Sequence, residues 1–246
     1  MIAQENFLHL PPITHGKHQY GDLYVHLHRL GATTDVTQIC QRLSYQIETT
    51  VAENNGHKYV GDLNHPQART LVKELGYAPM NLRRDVDFLK ELREGAAGSK
   101  KCFDAAGKII DQKRLMQVYR EITEVRNPWR GEWLNDTYST KKKKMHVTYE
   151  FVNAQGTLEE VTEALDSYLT QNKTPGIDLN DWLDRATSQG LPPEDVVSGS
   201  LYYWPPVNGA VVWFDADADR AVLYCDRVPQ SSGAAIGVRL SAAGAQ

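Results

Sequence analysis

Near the end of this chain, apolar and polar residues alternate twice in quick succession. Val212, Phe214 and Ala216 interleave with Trp213, Asp215 and Asp217; after a break at residues 218–220, Ala221, Leu223 and Cys225 interleave with Val222, Tyr224 and Asp226. Successive side chains of a strand point to opposite faces, so this period of two predicts a β-hairpin with one small apolar face and one face of Trp, Tyr and Asp. A lone hairpin is barely stable in water, so the rest of the chain must supply what packs against the apolar face.

Both helices and strands are on offer. Leu23, Val25 and Leu27 alternate with Tyr24, His26 and His28, the mark of a half-buried strand. From Thr34, Val36, Ile39, Leu43, Ile47 and Val51 recur at three- and four-residue spacing, which predicts a helix up to the break at Asn54, Asn55 and Gly56. Shorter helices are predicted over 66–75, over 83–94 and over 111–123, the first two stopped by Gly76 and Gly95. Residues 102–110 read as two short strands about a turn, and 145–152 as a strand. The run Lys141 to Lys144, between two strand-like segments, reads as a solvated loop rather than a nucleic-acid patch. Thr157 and Glu160 have capping-box spacing ahead of Val161, Leu165 and Leu169, which predicts another helix, and a last one is predicted over 180–189. No repeat of fixed period is present, and the Pro/Gly punctuation marks no linker. One α+β domain over all 246 residues is therefore expected.

Charge removes some classes of function. Lys and Arg total 27 against 31 Asp and Glu, a net charge of -4, so no global positive field draws in a phosphate backbone and nucleic acid is not an expected partner. No basic stretch followed by an unbroken apolar run opens the sequence, and no segment approaches the ~20 apolar residues of a membrane span. No membrane insertion is expected; the sequence leaves the location open, the expectation being a cytoplasmic protein or one exported by a non-classical route. Cys40, Cys102 and Cys225 are far apart and fit no metal spacing, which predicts buried reduced thiols.

The last 52 residues differ from what precedes them. Residues 1–194 hold 13 Lys and 14 Glu, whereas 195–246 hold neither, so every acid there is Asp and every base Arg. Strands are generally poor in Lys and Glu, which explains part of the void. The hairpin's polar face, with Arg227 beside it, suits gripping another molecule better than catalysis, since Tyr and Trp give contact area at low entropic cost and short polar side chains adapt. Tyr202, Tyr203, Trp204, Pro205, Pro206, Val207, Asn208 and Gly209 continue this composition before the hairpin, as do Pro229, Gln230, Ser231, Ser232 and Gly233 after it.

The block from Ser200 to Leu240 resembles the C-terminal region of the variable proteins of diversity-generating retroelements, particularly their archaeal group, and the segment from Asp85 to Asp136 resembles their scaffold more weakly. The resemblance implies a C-type-lectin-like α+β fold with short antiparallel strands, several helices and a variable C-terminal hairpin region. Residues 81–246 would form that core, 200–240 the variable region, and the first 80 residues a helical elaboration. It implies a ligand-binding protein, not an enzyme, with no cofactor and no resident metal, whose partner is a protein or cell-surface ligand that the sequence cannot name. Such retroelements mutate adenines, and changes at the first two positions of an Asn codon ending in a pyrimidine cannot yield Lys, Glu, Gln, Met or Trp. The Lys/Glu void agrees with that. The contact positions implied are Tyr203, Val207, Asn208, Asp215, Asp217, Asp219, Arg220, Val222, Tyr224, Asp226, Arg227, Ser232 and Ala234. The support implied is Trp204, Trp213, Phe214, Ala216, Ala221, Leu223, Cys225, Ile236, Gly237 and Val238, with Gln230 also invariant.

Competing chemistry is weaker. Asp215, Asp217 and Asp219 open like a calcium loop, and Asp226 falls at its twelfth position, but Arg220 stands where the turn needs Gly and the last ligand is not Glu. A calcium or zinc lectin or hydrolase using these aspartates is the alternative reading. His26 and His28 could bind zinc, with His57, His65 or Asp22 completing the set. Asp104, Asp111, Glu121, Glu124, Glu132 and Asp136 offer carboxylates without singling out a pair. Formylglycine-generating enzymes, similar in fold to the family, need two close cysteines, for which only Cys102 and Cys225 are candidates. An assembly subunit that buries the hairpin face in a homo-oligomer is a third class.

Overall fold

A computed structural model describes residues 3–244. After a single 3-10 turn, β1 (Phe7–Leu10) leads through the small hairpin of β2 (Ile13–His15) and β3 (His18–Tyr20) to β4 (Leu23–Arg29), which pairs antiparallel with β1. Helix α1 (Thr34–Arg42) is capped by the Thr33 hydroxyl, and α2 (His65–Glu74) by a capping box of Asn64 and Gln67 with Pro66 in its first turn. A short β5 (Ala78–Pro79) precedes α3 (Leu82–Ala96), capped by Asn81, and α4 (Gln112–Thr123), capped by Asp111. Then come β6 (Arg130–Lys141), β7 (Lys144–Val152), β8 (Leu158–Ala164), β9 (Lys173–Ile177) and the short α5 (Leu179–Arg185). The C-terminal part holds β10 (Leu201–Trp204), β11 (Val211–Ala216), β12 (Ala221–Arg227), β13 (Ile236–Gly237) and β14 (Arg239–Ala242).

Among the described residues these strands form three sheets. The largest runs β8-β7-β6-β11-β12-β10-β9, with β13 added parallel to β6; the second runs β1-β4-β14-β5; β2 and β3 stand apart. The predicted hairpin is thus β11 and β12, in the middle of the large sheet, in register at Trp213 with Tyr224 and at Asp215 with Val222. Because β4 pairs with β14, the two ends of the chain close one sheet. The first 80 residues, expected as a helical elaboration, contribute five strands beside α1 and α2, and β4 lies inside the second sheet.

Two other expectations change. The helix predicted from Thr34 to residue 53 stops at Arg42, because Ser44 takes a left-handed φ of 58° and the chain doubles back, bridging Glu48 to Gly61 and Ala52 to Lys58. Its continuation, Ile47 to Val51, is rich in β-branched residues that lose side-chain freedom in a helix. The capping-box segment after Thr157 is the strand β8, paired with β7 over seven positions. Asn153 Oδ1 accepts from the Gln155 and Thr157 amides and the Thr157 hydroxyl, so that hydroxyl closes a β-turn instead of starting a helix.

Two cores flank the hairpin. Val212, Phe214, Ala216, Ala221, Leu223 and Cys225 belong to the main one, with α3, α4 and Trp182. Trp133, Val211, Trp213 and Ile236 belong to the second, with α1, α2, Val238 and Leu240. A buried ionic belt ties the layers together: Arg29 reaches Glu132 at 3.1 Å, Glu121 at 3.4 Å and Glu53 at 3.5 Å, while Arg239 grips Glu132 through two nitrogens. Charges buried this way hold a specific docking, since removing one partner strands the other.

Candidate recognition face

On the side of the large sheet away from the main core, strand pairing sets aromatic rings in a row. Parallel pairing puts Trp204 of β10 beside Tyr224 of β12, and antiparallel pairing puts Trp213 of β11 beside Tyr224 and Trp133 of β6 beside Trp213. Trp204 and Tyr224 are near-parallel at 6.4 Å, Tyr224 meets Trp213 edge to face at 5.8 Å, and Trp213 meets Trp133 at 4.8 Å. The row descends from surface to interior. Trp204 and Tyr224 are half-buried, whereas Trp213 and Trp133 are buried under the second core, and the Trp133 indole N–H donates to Leu63 O at 2.8 Å.

Guanidinium groups lie over the open end. Arg227 covers the Tyr224 ring at 3.4 Å and the Trp213 ring at 4.9 Å, and Arg220 covers the Tyr202 ring at 5.1 Å. Asp226 Oδ1 and Arg227 Nε are 3.7 Å apart, and neither has a hydrogen-bond partner among the described residues. Burial raises the Asp226 carboxyl, which the Arg227 charge only partly offsets.

Three of the sequence-predicted contact positions are not on the surface. Tyr203 is fully buried and donates its hydroxyl to Leu169 O at 3.0 Å, because in β10 it points opposite to Tyr202 and Trp204. Val222 is 1% exposed. Asp215 is 4% exposed and accepts from the Trp129 indole at 3.4 Å; burial pushes its carboxyl up to about 7 against that bond. The turn of Asp217, Asp219 and Arg220, the half-exposed Tyr224 and Asp226, and Arg227 do share the face.

The others fall at its two ends. Val207 and Asn208 lie where β11 begins, with Asn208 Oδ1 accepting from the Thr140 amide at 2.7 Å. Ser232 and Ala234 lie against the Asp62 region: the Ser232 hydroxyl donates to Asp62, and a Cβ on Gly61 would sit 1.9 Å from Ala234 O. Of the residues expected as support, Trp213, Phe214, Leu223 and Cys225 are buried, and a side chain at Gly237 would meet Tyr59 and Arg29. Trp204, expected as support, is half-exposed. Sequence reasoning left out Tyr202 and Trp129 as site residues; the parallel pairing of β10 with β12 and the Asp215 contact are long-range facts that no local pattern carries.

The calcium-like aspartates are not gathered about a point. Asp217 Oδ1 accepts from the Asp219 and Arg220 amides, Asp219 is exposed, and Asp215 is buried beside Trp129. His26 and His28 are committed as well, His26 Nδ1 to the His28 carbonyl at 2.7 Å and His28 Nδ1 to Glu53 at 2.7 Å. Among the described residues no group of three or more His, Cys, Asp or Glu is arranged to hold a metal ion, and Cys40, Cys102 and Cys225 are buried free thiols. No helix among them is long and apolar enough to cross a membrane. Comparison with protein families, curated proteins and solved structures returns no match.

Proposed function

We propose that this chain is a ligand-binding protein of the retroelement variable-protein type, with a C-type-lectin-like fold whose recognition surface is the open face of β10, β12 and the β11–β12 turn. The observation that carries the reading is the row of half-exposed aromatics overlaid by arginines on strands whose opposite side is packed into the main core. Rigid aromatic and Arg anchors of this kind dominate the energetics of protein interfaces. Affinity would come from Tyr202, Trp204, Tyr224, Arg220 and Arg227, and variation from the exposed Val207 and Asp219 and the half-exposed Asp226.

The Lys/Glu void supports this more firmly once the strands are placed. Residues 130–164 are almost all strand, as β6, β7 and β8, yet hold nine Lys or Glu among 35 positions. Strand content therefore does not account for a 52-residue stretch without either. Sequencing the DNA beside the gene tests the reading. A reverse-transcriptase gene next to a near-copy of the 3' end that differs at adenines is the expected result; an intact neighbourhood without either would overturn the retroelement assignment.

A further inference from the structure

Helix α4, the turn at 53–57 and the end of β4 enclose a cleft of about 610 Å³, a volume usual for small-molecule sites. Which of its charges are free decides what it can hold. Its carboxylates are all engaged. Glu53 accepts from His28 Nδ1 at 2.7 Å and from the Arg29 amide at 2.9 Å, and Glu121 faces Arg29, Arg126 and Arg130. Asp111 caps α4 by accepting from the Lys113 and Arg114 amides, and Glu124 lies 3.5 Å from Arg126.

The cations are not so engaged. Arg114 donates to neutral oxygens, Glu5 O at 2.8 Å and Asn6 Oδ1 at 2.6 Å. Lys113 and Arg120 line the cleft, are exposed, and have no ion pair among the described residues. Seven residues apart, they share one face of α4. His28 Nε2 has no partner among the described residues either, while Glu53 fixes the ring through Nδ1. Leu27 and Val118 add an apolar patch.

We propose that this cleft is a site for a small, multiply charged organic anion, a phosphate ester or polycarboxylate of metabolite size, held by Lys113, Arg114, Arg120 and His28. Arg presents a planar donor fork that matches either group, and Lys adds a mobile point charge. The site shares no residue with the recognition face, and neither reading depends on the other.

Pyrophosphate and citrate, titrated calorimetrically into the full chain at physiological ionic strength, test the site. The expected result is saturable one-to-one binding of at least one of them, with the tighter binder assigning phosphate or carboxylate chemistry. The double substitution Lys113→Ala with Arg120→Ala weakens it at least about tenfold. Lys142→Ala with Lys143→Ala, which removes equal charge from the exposed β6–β7 turn, leaves it unchanged. Both pairs of side chains are exposed, so each variant keeps its melting temperature. No saturable binding of either probe, or equal weakening in the two variants, would overturn the proposal.

Discussion

The two halves of one aromatic row have opposite surroundings. Trp133 and Trp213 are buried by α1, α2 and the residues from Ile236 to Leu240, whereas Tyr224 and Trp204, one and two strands further along the same face, stay half-exposed beneath arginines. Alternation along β11 and β12 identifies the face correctly, but whether a position on it is surface or core depends on which other parts of the chain reach over it. The same period of two therefore yields a buried Asp215 and a half-exposed Tyr224 on adjacent strands.

The contrast predicts a difference in stability. Trp213→Ala, in the covered half, is expected to cost about 3–5 kcal/mol in denaturant unfolding, while Trp204→Ala, in the open half, costs about 1 kcal/mol. Equal costs would break the comparison.

Asp215 sharpens it through pH. Its carboxyl titrates near 7 in the folded protein, raised by burial, against about 3.9 unfolded. Between those values the folded state holds the proton that the unfolded state has released, so stability falls as pH rises from about 4 to about 7 and is then level. Asp215→Asn keeps an acceptor for the Trp129 indole and removes that loss. It is expected to be more stable than wild type by on the order of 4 kcal/mol at pH 8, the gap closing towards pH 4, as thermal melts across that range would show. A gap independent of pH would mean the carboxylate is solvated.

Smaller effects separate inward from outward positions. Tyr203→Phe strands the Leu169 carbonyl and is expected to cost about 1 kcal/mol. In the β11–β12 turn, Asp217→Ala loses two amide contacts and costs about 1 kcal/mol, whereas Asp219→Ala stays within about 0.5 kcal/mol, both read from unfolding midpoints.

Much of the local structure was legible in the sequence for the reasons given at the outset. The β11–β12 hairpin, the strand β4 and the helices α2, α3 and α4 follow from periodicity, and the structure adds Asn64, Asn81 and Asp111 as the helix caps. Where reading failed, two local signals competed. Ile47 and Val51 keep helical spacing in a β-branched run, and Thr157 with Glu160 mimics a cap while Asn153 and Gly156 turn the chain into β8. The candidate face was half legible. Its Tyr, Trp and Arg content is plain in sequence, but the burial of Tyr203, Asp215 and Val222 depends on packing and pairings brought from distant parts of the chain.

The most direct test of the proposed recognition face is simultaneous randomisation of Val207, Asp219 and Asp226, with the Arg220 and Arg227 anchors kept and each displayed variant scored for cooperative folding and for binding to unrelated protein targets. The account predicts that most variants fold with melting temperatures within a few degrees of the parent and that different targets select different side chains at these positions. A library in which most members fail to fold, or which returns no target-specific binders, would contradict it.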